Sequence, residues 1–247
     1  MKQLFKDLVV AFQFLSRLPL PTFEFDPNSL SRSTKFFPVV GLVIGLGGVE
    51  FQRLLTPHLS RMLAALLVLL FFVLVSGALH EDGVADTADG LGGGWNREQM
   101  LAIMRDSKIG AFGAVALVLS LLARFALLSS LPLHRFAPYV ICAHVLCRWT
   151  ALPLRLVKAA RSEEGQGARI AQKTSSGSLI TGTLISIAIV AFLLRGASFV
   201  PILVAIVTTG LSGFYYRRRL GGISGDCFGA TNQLTEIAIY FCGVWNT

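Results

Sequence analysis

Seven long apolar runs dominate the chain: Phe36 to Gln52, Met62 to Leu79, Gly110 to Leu131, Ala137 to Leu154, Ser178 to Leu194, Ser198 to Tyr216 and Phe228 to Trp245. A helix needs about 20 apolar residues to cross the hydrocarbon of a bilayer, and these runs approach that length. A soluble domain would confine its apolar residues to one stripe per helix, with polar residues between. Of the 247 residues, 53% are hydrophobic and only 15% charged, and the mean hydropathy of +0.65 lies far above that of an ordinary globular domain. These features predict an all-α fold, a polytopic integral membrane helical bundle of about seven transmembrane helices. No repeat or long linker divides the runs, so a single membrane-embedded domain over 1–247 is expected.

The segment before the first run carries Lys2 and Lys6 ahead of an apolar stretch from Leu8 to Leu15, interrupted by Asp7 and Gln13 and closed by Arg17, Pro19 and Pro21. That pattern fits an amphipathic helix at the membrane surface better than a cleaved signal peptide. The net charge of +8 raises nucleic acid as a partner, but the basic residues fall in short clusters between the runs and form no stripe. Their distribution reads as topology. Segments 1–35, 80–109, 155–177 and 217–227 carry 5, 3, 5 and 3 Lys or Arg, against 2, 1 and 1 in the three intervening loops. Positively charged loops stay in the cytoplasm during insertion, which places the N-terminus and the two most polar loops there, in a multi-pass protein of the cell inner membrane. Cys142, Cys147, Cys227 and Cys242 have no metal-ligand spacing and read as buried thiols.

The segment from His80 to Gly90, HEDGVADTADG, gathers four carboxylates and one histidine directly after the second run. On a helix, Asp82, Asp86 and Asp89 stand at i, i+4 and i+7, within an arc of about 60°. Carboxylates crowded on one face repel, and a helix beside lipid does not collect them without a cation, a cationic substrate or an arginine partner. An all-oxygen donor set favours a hard ion, so Asp82, Asp86 and Asp89 are the expected ligands of Mg2+ or manganese. His80 is a candidate base or a further ligand.

Two more polar islands lie on the same expected side. Arg105, Asp106, Ser107 and Lys108 precede the third run, with mixed charges suited to phosphate binding. Gly221 to Ala230, GGISGDCFGA, follows Arg217, Arg218 and Arg219. Its glycines, Gly225 among them, permit a turn whose amides face a phosphate, and Asp226 adds an acid. The arginine triplet itself reads as a topology signal. Inside the runs, Glu50, Arg124, Arg148, Asn232 and Glu236 are costly in hydrocarbon and are expected to face the bundle interior.

Through HEDGVADTADG, MRDSKIGAFG and GGISGDCFGA, and through the early FFPVVGLVIG run, the chain resembles the cobalamin synthase family, the adenosylcobinamide-GDP ribazoletransferases. The resemblance covers nearly the whole length and keeps the motifs in order. It implies a transfer in which α-ribazole or its 5′-phosphate attacks the pyrophosphate of adenosylcobinamide-GDP, so that GMP leaves and the nucleotide loop of cobalamin is closed. It further implies Mg2+ on Asp82, Asp86 and Asp89, with Asp106 and Asp226 as additional acidic site residues and a site facing the cytoplasm. Membrane lipid is an expected partner, and assembly into a homo-oligomer is left open.

Two alternatives stand beside this reading. Asp82, Gly83 and Ala85 agree with the start of the CDP-alcohol phosphotransferase motif, which would make the chain a lipid head-group transferase, although Asp86 stands where that motif carries Arg. A membrane cation transporter would also need carboxylates near its spans, but the main cluster lies at the end of a run, away from the midplane where transporter sites occur.

Overall fold

The computed structural model describes residues 2–21, 23, 26, 28–160 and 175–245. Among these the chain is helical throughout, and its only β pairing is one isolated parallel bridge between Ala159 and Ile223. The helices are α1 Lys2–Leu15, α2 Ser29–Ser33, α3 Phe37–Leu55, α4 Arg61–Ser76, α5 Leu79–Gly93, α6 Arg97–Ile103, α7 Ala111–Ser130, α8 Leu133–Trp149, α9 Ala151–Leu154, α10 Ser176–Leu194, α11 Phe199–Leu220 and α12 Gly225–Trp245. Each of the seven apolar runs is helical, although Met62 to Leu79 breaks at Gly77 and Ala78, and Ala137 to Leu154 is divided between α8 and α9. Arg161, Arg169 and Lys173, which contribute to the basic count of the 155–177 segment, lie outside the described residues.

The all-α, polytopic membrane character is present. Four helical stretches among the described residues are long and apolar enough to cross a membrane: Ser29–Leu55, Ala111–Ser130, Ser176–Ala197 and Phe199–Leu220. A fifth arises if α4 and α5, bent by 86° at their junction, are taken together. The remaining two apolar runs form α8, with α9, and α12. Every residue of α8 from Tyr139 to Trp149 is buried, and α12 buries Asn232, Gln233 and Glu236. Residues of these helices that face protein need not be apolar, so polar groups placed there find partners in neighbouring helices.

The interior is built around α8, against which α3 packs most extensively, followed by α12 and α10. Close approach of α3 depends on Gly41 and Gly45, one turn apart: a Cβ added at Gly41 would run into the His144 carbonyl, and one at Gly45 would lie 3.0 Å from Ile141 Cα. Small residues spaced by four let two helix backbones meet, the packing mode favoured where no hydrophobic force separates helix from lipid. The glycine-rich first run is therefore a tightly packed helix. Among the four cysteines, Cys142, Cys147 and Cys227 are buried and Cys242 is half-buried, all as free thiols.

Helix α1 docks onto the bundle. Its buried Asp7 receives Lys35 Nζ at 3.0 Å and Arg32 Nε at 3.3 Å, and the Arg17 amide after the helix donates to the Val75 carbonyl at 2.7 Å. Of the polar and charged residues expected to face inward, Arg124, Arg148, Asn232 and Glu236 do so. Glu50 does not: its side chain is 58% exposed and pairs with Arg53 one turn on, at 2.5 Å. An i,i+3 pair at the end of α3 satisfies both charges where they stand, so Glu50 needs no interior partner.

Candidate active site

The acidic segment does not continue the helix before it. Helix α4 ends at Gly77 in the left-handed conformation, φ 63°, with the Ala78 amide closing onto the Val73 carbonyl at 3.0 Å, and Ala78 is itself left-handed, φ 57°. This is the usual helix stop at glycine. Helix α5 then departs at 86° and carries four carboxylates in its fifteen residues, so on its own it is not a lipid-crossing helix. Because α5 is helical throughout, Asp82, Asp86 and Asp89 keep the common face that their spacing requires.

Their surroundings differ. Asp82 is exposed and Asp86 half-buried. Asp89 is buried, and its two oxygens accept hydrogen bonds from the amides of Gly110 at 2.7 Å and Gly113 at 2.8 Å, at the N-terminus of α7. A carboxylate across those unpaired amides caps the helix and complements its dipole. Asp89 therefore ties α5 to α7.

Helix α12 brings the third island into place. Its N-terminus crosses α5 where Gly83 meets Gly229; a Cβ at Gly83 would stand 2.7 Å from the Asp226 carbonyl and 3.0 Å from Gly229 Cα. The crossing sets Asp226, whose Oδ2 accepts from Ser224 Oγ at 3.3 Å, beside Asp82 and Asp86. Gly225 opens the helix just before it. A small apolar cluster of Met100, Met104, Tyr216, Leu220, Ile223 and Cys227 seats α6 and the end of α11 beneath this junction. Burial, and after it the charges of Asp82, Asp226 and Asp89, pushes the Asp86 carboxyl up to about 7. Burial and the Asp82 charge likewise raise Asp226 above the ordinary carboxylate range.

Arg105, Asp106, Ser107 and Lys108 are all exposed on the loop between α6 and α7. Asp106 accepts from the Lys108 amide at 3.1 Å, and the loop reaches the acidic face through Gly110, the donor to Asp89. Arg105 and Arg97 line an open hollow along α6. His80 is buried and stands about 200° around α5 from Asp82, so it points away from the acidic face, toward Arg124, Arg148 and His144.

Beneath the acidic face lies a buried polar network. Arg124 of α7 donates Nη1 to Glu81 Oε1 at 2.6 Å and Nε to Glu236 Oε1 at 3.0 Å, and Gln233 Nε2 reaches the same Glu81 oxygen at 3.1 Å. Glu81 Oε2 is buried without a hydrogen-bond partner. On α8, Arg148 Nη1 lies 2.9 Å from His144 Nδ1, and Tyr240 Oη 3.2 Å from His144 Nε2. Arginine only donates, so Nδ1 accepts and the imidazole proton sits on Nε2. The ligand atoms of His144, Cys147 and Glu236 lie within 4.8 Å of one another, but the imidazole and Glu236 Oε1 are already engaged by Arg148, Tyr240 and Arg124. Sequence reasoning left Glu81, Gln233, His144 and Tyr240 out of the site. Glu81 had a legible signal in its place within the acidic segment; the others sit in runs that read as ordinary helix.

Fold and site together define a polytopic helical membrane protein with a carboxylate-lined face where three helix ends meet. The chain matches the Cobalamin-5-phosphate synthase family over residues 7–244, and it belongs to that family. It is 39% identical over 245 residues to the adenosylcobinamide-GDP ribazoletransferase of Rhizobium johnstonii, covering 94% of each chain. It is 38% identical over 251 residues to that of Rhizobium etli, again covering 94% of each. With that of Shewanella pealeana it shares 35% over 241 residues, 94% of this chain and 92% of the relative. No solved structure matches it.

Proposed function

We infer that this chain is an adenosylcobinamide-GDP ribazoletransferase, a transferase of cobalamin synthesis acting from the cytoplasmic face of the inner membrane. Family membership and the names of its relatives carry the activity. The observation that carries the location is the convergence of Asp82 and Asp86 of α5 with Asp226 of α12 at one polar helix junction. The lipid head-group transferase and cation transporter readings have no comparable support.

The residues fit Mg2+ as a cofactor. The donors are all oxygen, and burial together with the neighbouring carboxylates raises the Asp86 carboxyl to about 7. Among the described residues no three of these carboxylates bring their oxygens within 4.8 Å of one another. That spacing suits an ion shared between one or two carboxylates and substrate phosphates, which is the habit of Mg2+, rather than one enclosed in a protein cage. Asp82 and Asp86 would hold it. Bound there, Mg2+ supplies charge neutralisation to the pyrophosphate.

The protein's own groups do the rest. Exposed Arg105 and Lys108 hold phosphate oxygens at the rim, and Asp89 fixes the angle between α5 and α7. Asp226, raised in pKa, accepts the proton from a ribose hydroxyl of α-ribazole that a 5′-phosphate leaves free. That ribose oxygen bonds to the phosphorus attached to cobinamide, the pyrophosphate bridge breaks, and GMP departs with the bridging oxygen. The same site serves α-ribazole 5′-phosphate, whose 5′-phosphate stays in place while the same ribose hydroxyl attacks.

The purified protein is expected to release GMP from adenosylcobinamide-GDP and α-ribazole with Mg2+ and to stop in EDTA; a folded protein that releases none overturns the assignment. A second expectation follows from Asp86. A cation favours the charged carboxylate, so Mg2+ binding at pH 7 releases protons and weakens as pH falls below about 7. Calorimetric titration in two buffers of different ionisation enthalpy measures this directly. Identical heats in both would show that no such proton is displaced.

A further inference from the structure

On the face of α5 opposite the carboxylates lies an apolar groove of about 710 Å³, floored by α5 and α12 and walled by α7 and α11. Val84, Thr87, Ala88 and Leu91 line its floor. It opens sideways through Leu119, Leu211 and Phe214, each more than 60% exposed, on helices apolar enough to meet lipid. Two polar features are out of place in such a groove. Thr87 is one of its lining residues, only 5% exposed, and its hydroxyl lies under the groove surface with no hydrogen-bond partner. At the Leu91 end, Arg219 reaches the Leu91 carbonyl at 3.5 Å, which places the C-terminus of α11 and its arginine triplet at the mouth. Leu211, Phe214, Tyr215 and Arg218 share an arc of about 100° on α11, so Arg218 continues the stripe that walls the groove. Arg217 and Arg218 are exposed and form no ion pair among the described residues.

We propose that this groove binds one anionic phospholipid, an acyl chain lying between α7 and α11 and the phosphate resting on Arg218. An orphaned hydroxyl one turn below a cationic rim matches the depth of a glycerol ester carbonyl beneath its phosphate, and Thr87 donates to it there. A bare hydrocarbon chain would leave both Thr87 and Arg218 unanswered, which selects an anionic lipid over a neutral one. The groove also lines Gln233, whose amide holds Glu81 next to Asp82. A lipid seated there braces α5 from behind and steadies the acidic face.

The test compares wild type, Arg218→Gln and Thr87→Val, each equilibrated with mixed phosphatidylcholine and phosphatidylglycerol and examined by native mass spectrometry. Wild type is expected to retain one phosphatidylglycerol, and Arg218→Gln to hold it about five-fold more weakly, one basic residue near an anionic surface being worth about 1 kcal/mol. Thr87→Val keeps the side-chain volume and is expected to weaken retention without loss of fold. Equal retention of phosphatidylcholine, or unchanged retention in both variants, overturns the site. A second arm, GMP release in vesicles with and without phosphatidylglycerol, rests on the transferase reading. Wild type is expected to gain rate with the anionic lipid and Arg218→Gln to gain less, whereas an equal gain in both assigns the effect to bulk surface charge and overturns the bracing role.

Discussion

Asp82→Asn is expected to lower the rate of GMP release by about 10²- to 10³-fold, the range seen when one preorganised electrostatic group is removed from a reacting centre. The variant should remain folded. Asp82 is exposed, and its carboxylate makes no hydrogen bond or ion pair among the described residues. Nothing in the packing of α5 depends on its charge; removing that charge relieves repulsion on Asp86 and Asp226. Stability should therefore hold or rise while turnover collapses, a split that a structural role for Asp82 would not produce. Thermal unfolding in detergent, run beside the rate, tests both halves. Full activity in Asp82→Asn, or a parallel loss of stability and rate, would remove Asp82 from the site.

How much of this was legible depended on whether the deciding contacts were local. The common face of Asp82, Asp86 and Asp89 needed only that 79–93 be helical, so a period sufficed. Helix α5 as a separate limb was harder to see. The stop at Gly77 requires two successive left-handed residues, one of them Ala78, a conformation alanine rarely takes and its identity does not announce. Asp89 read as an equal of Asp82, yet its oxygens belong to amides 21 and 24 residues away. A capping role of that kind appears only when two helices meet. The runs of α8 and α12 were legible as helices from apolarity, but the place of α8 at the centre of the bundle was not, because a helix buried in protein and one facing lipid can carry the same apolar run.

The other large expected effect lies in that centre. Arg124, 1% exposed, is held by Glu81, 43 residues before it, and by Glu236, 112 residues after it. Arg124→Leu leaves two carboxylates buried with no counter-charge, and breaking a buried ion pair from one side costs about 3–5 kcal/mol. Against a total stability of about 5–15 kcal/mol that is a large fraction, and a clear fall in melting temperature should follow. The penalty belongs to the stranded charges, not to the lost contact, so adding Glu81→Gln and Glu236→Gln to Arg124→Leu should recover much of the loss. Glu81 precedes Asp82 on α5, so the single variant should also lose transferase rate through the orientation of α5, as a consequence of stability rather than beside it. A single variant that melts with wild type, or a triple variant no better than the single, would mean that these charges are satisfied in some other way. The acidic face would then rest on Asp89 and the Gly83–Gly229 crossing alone.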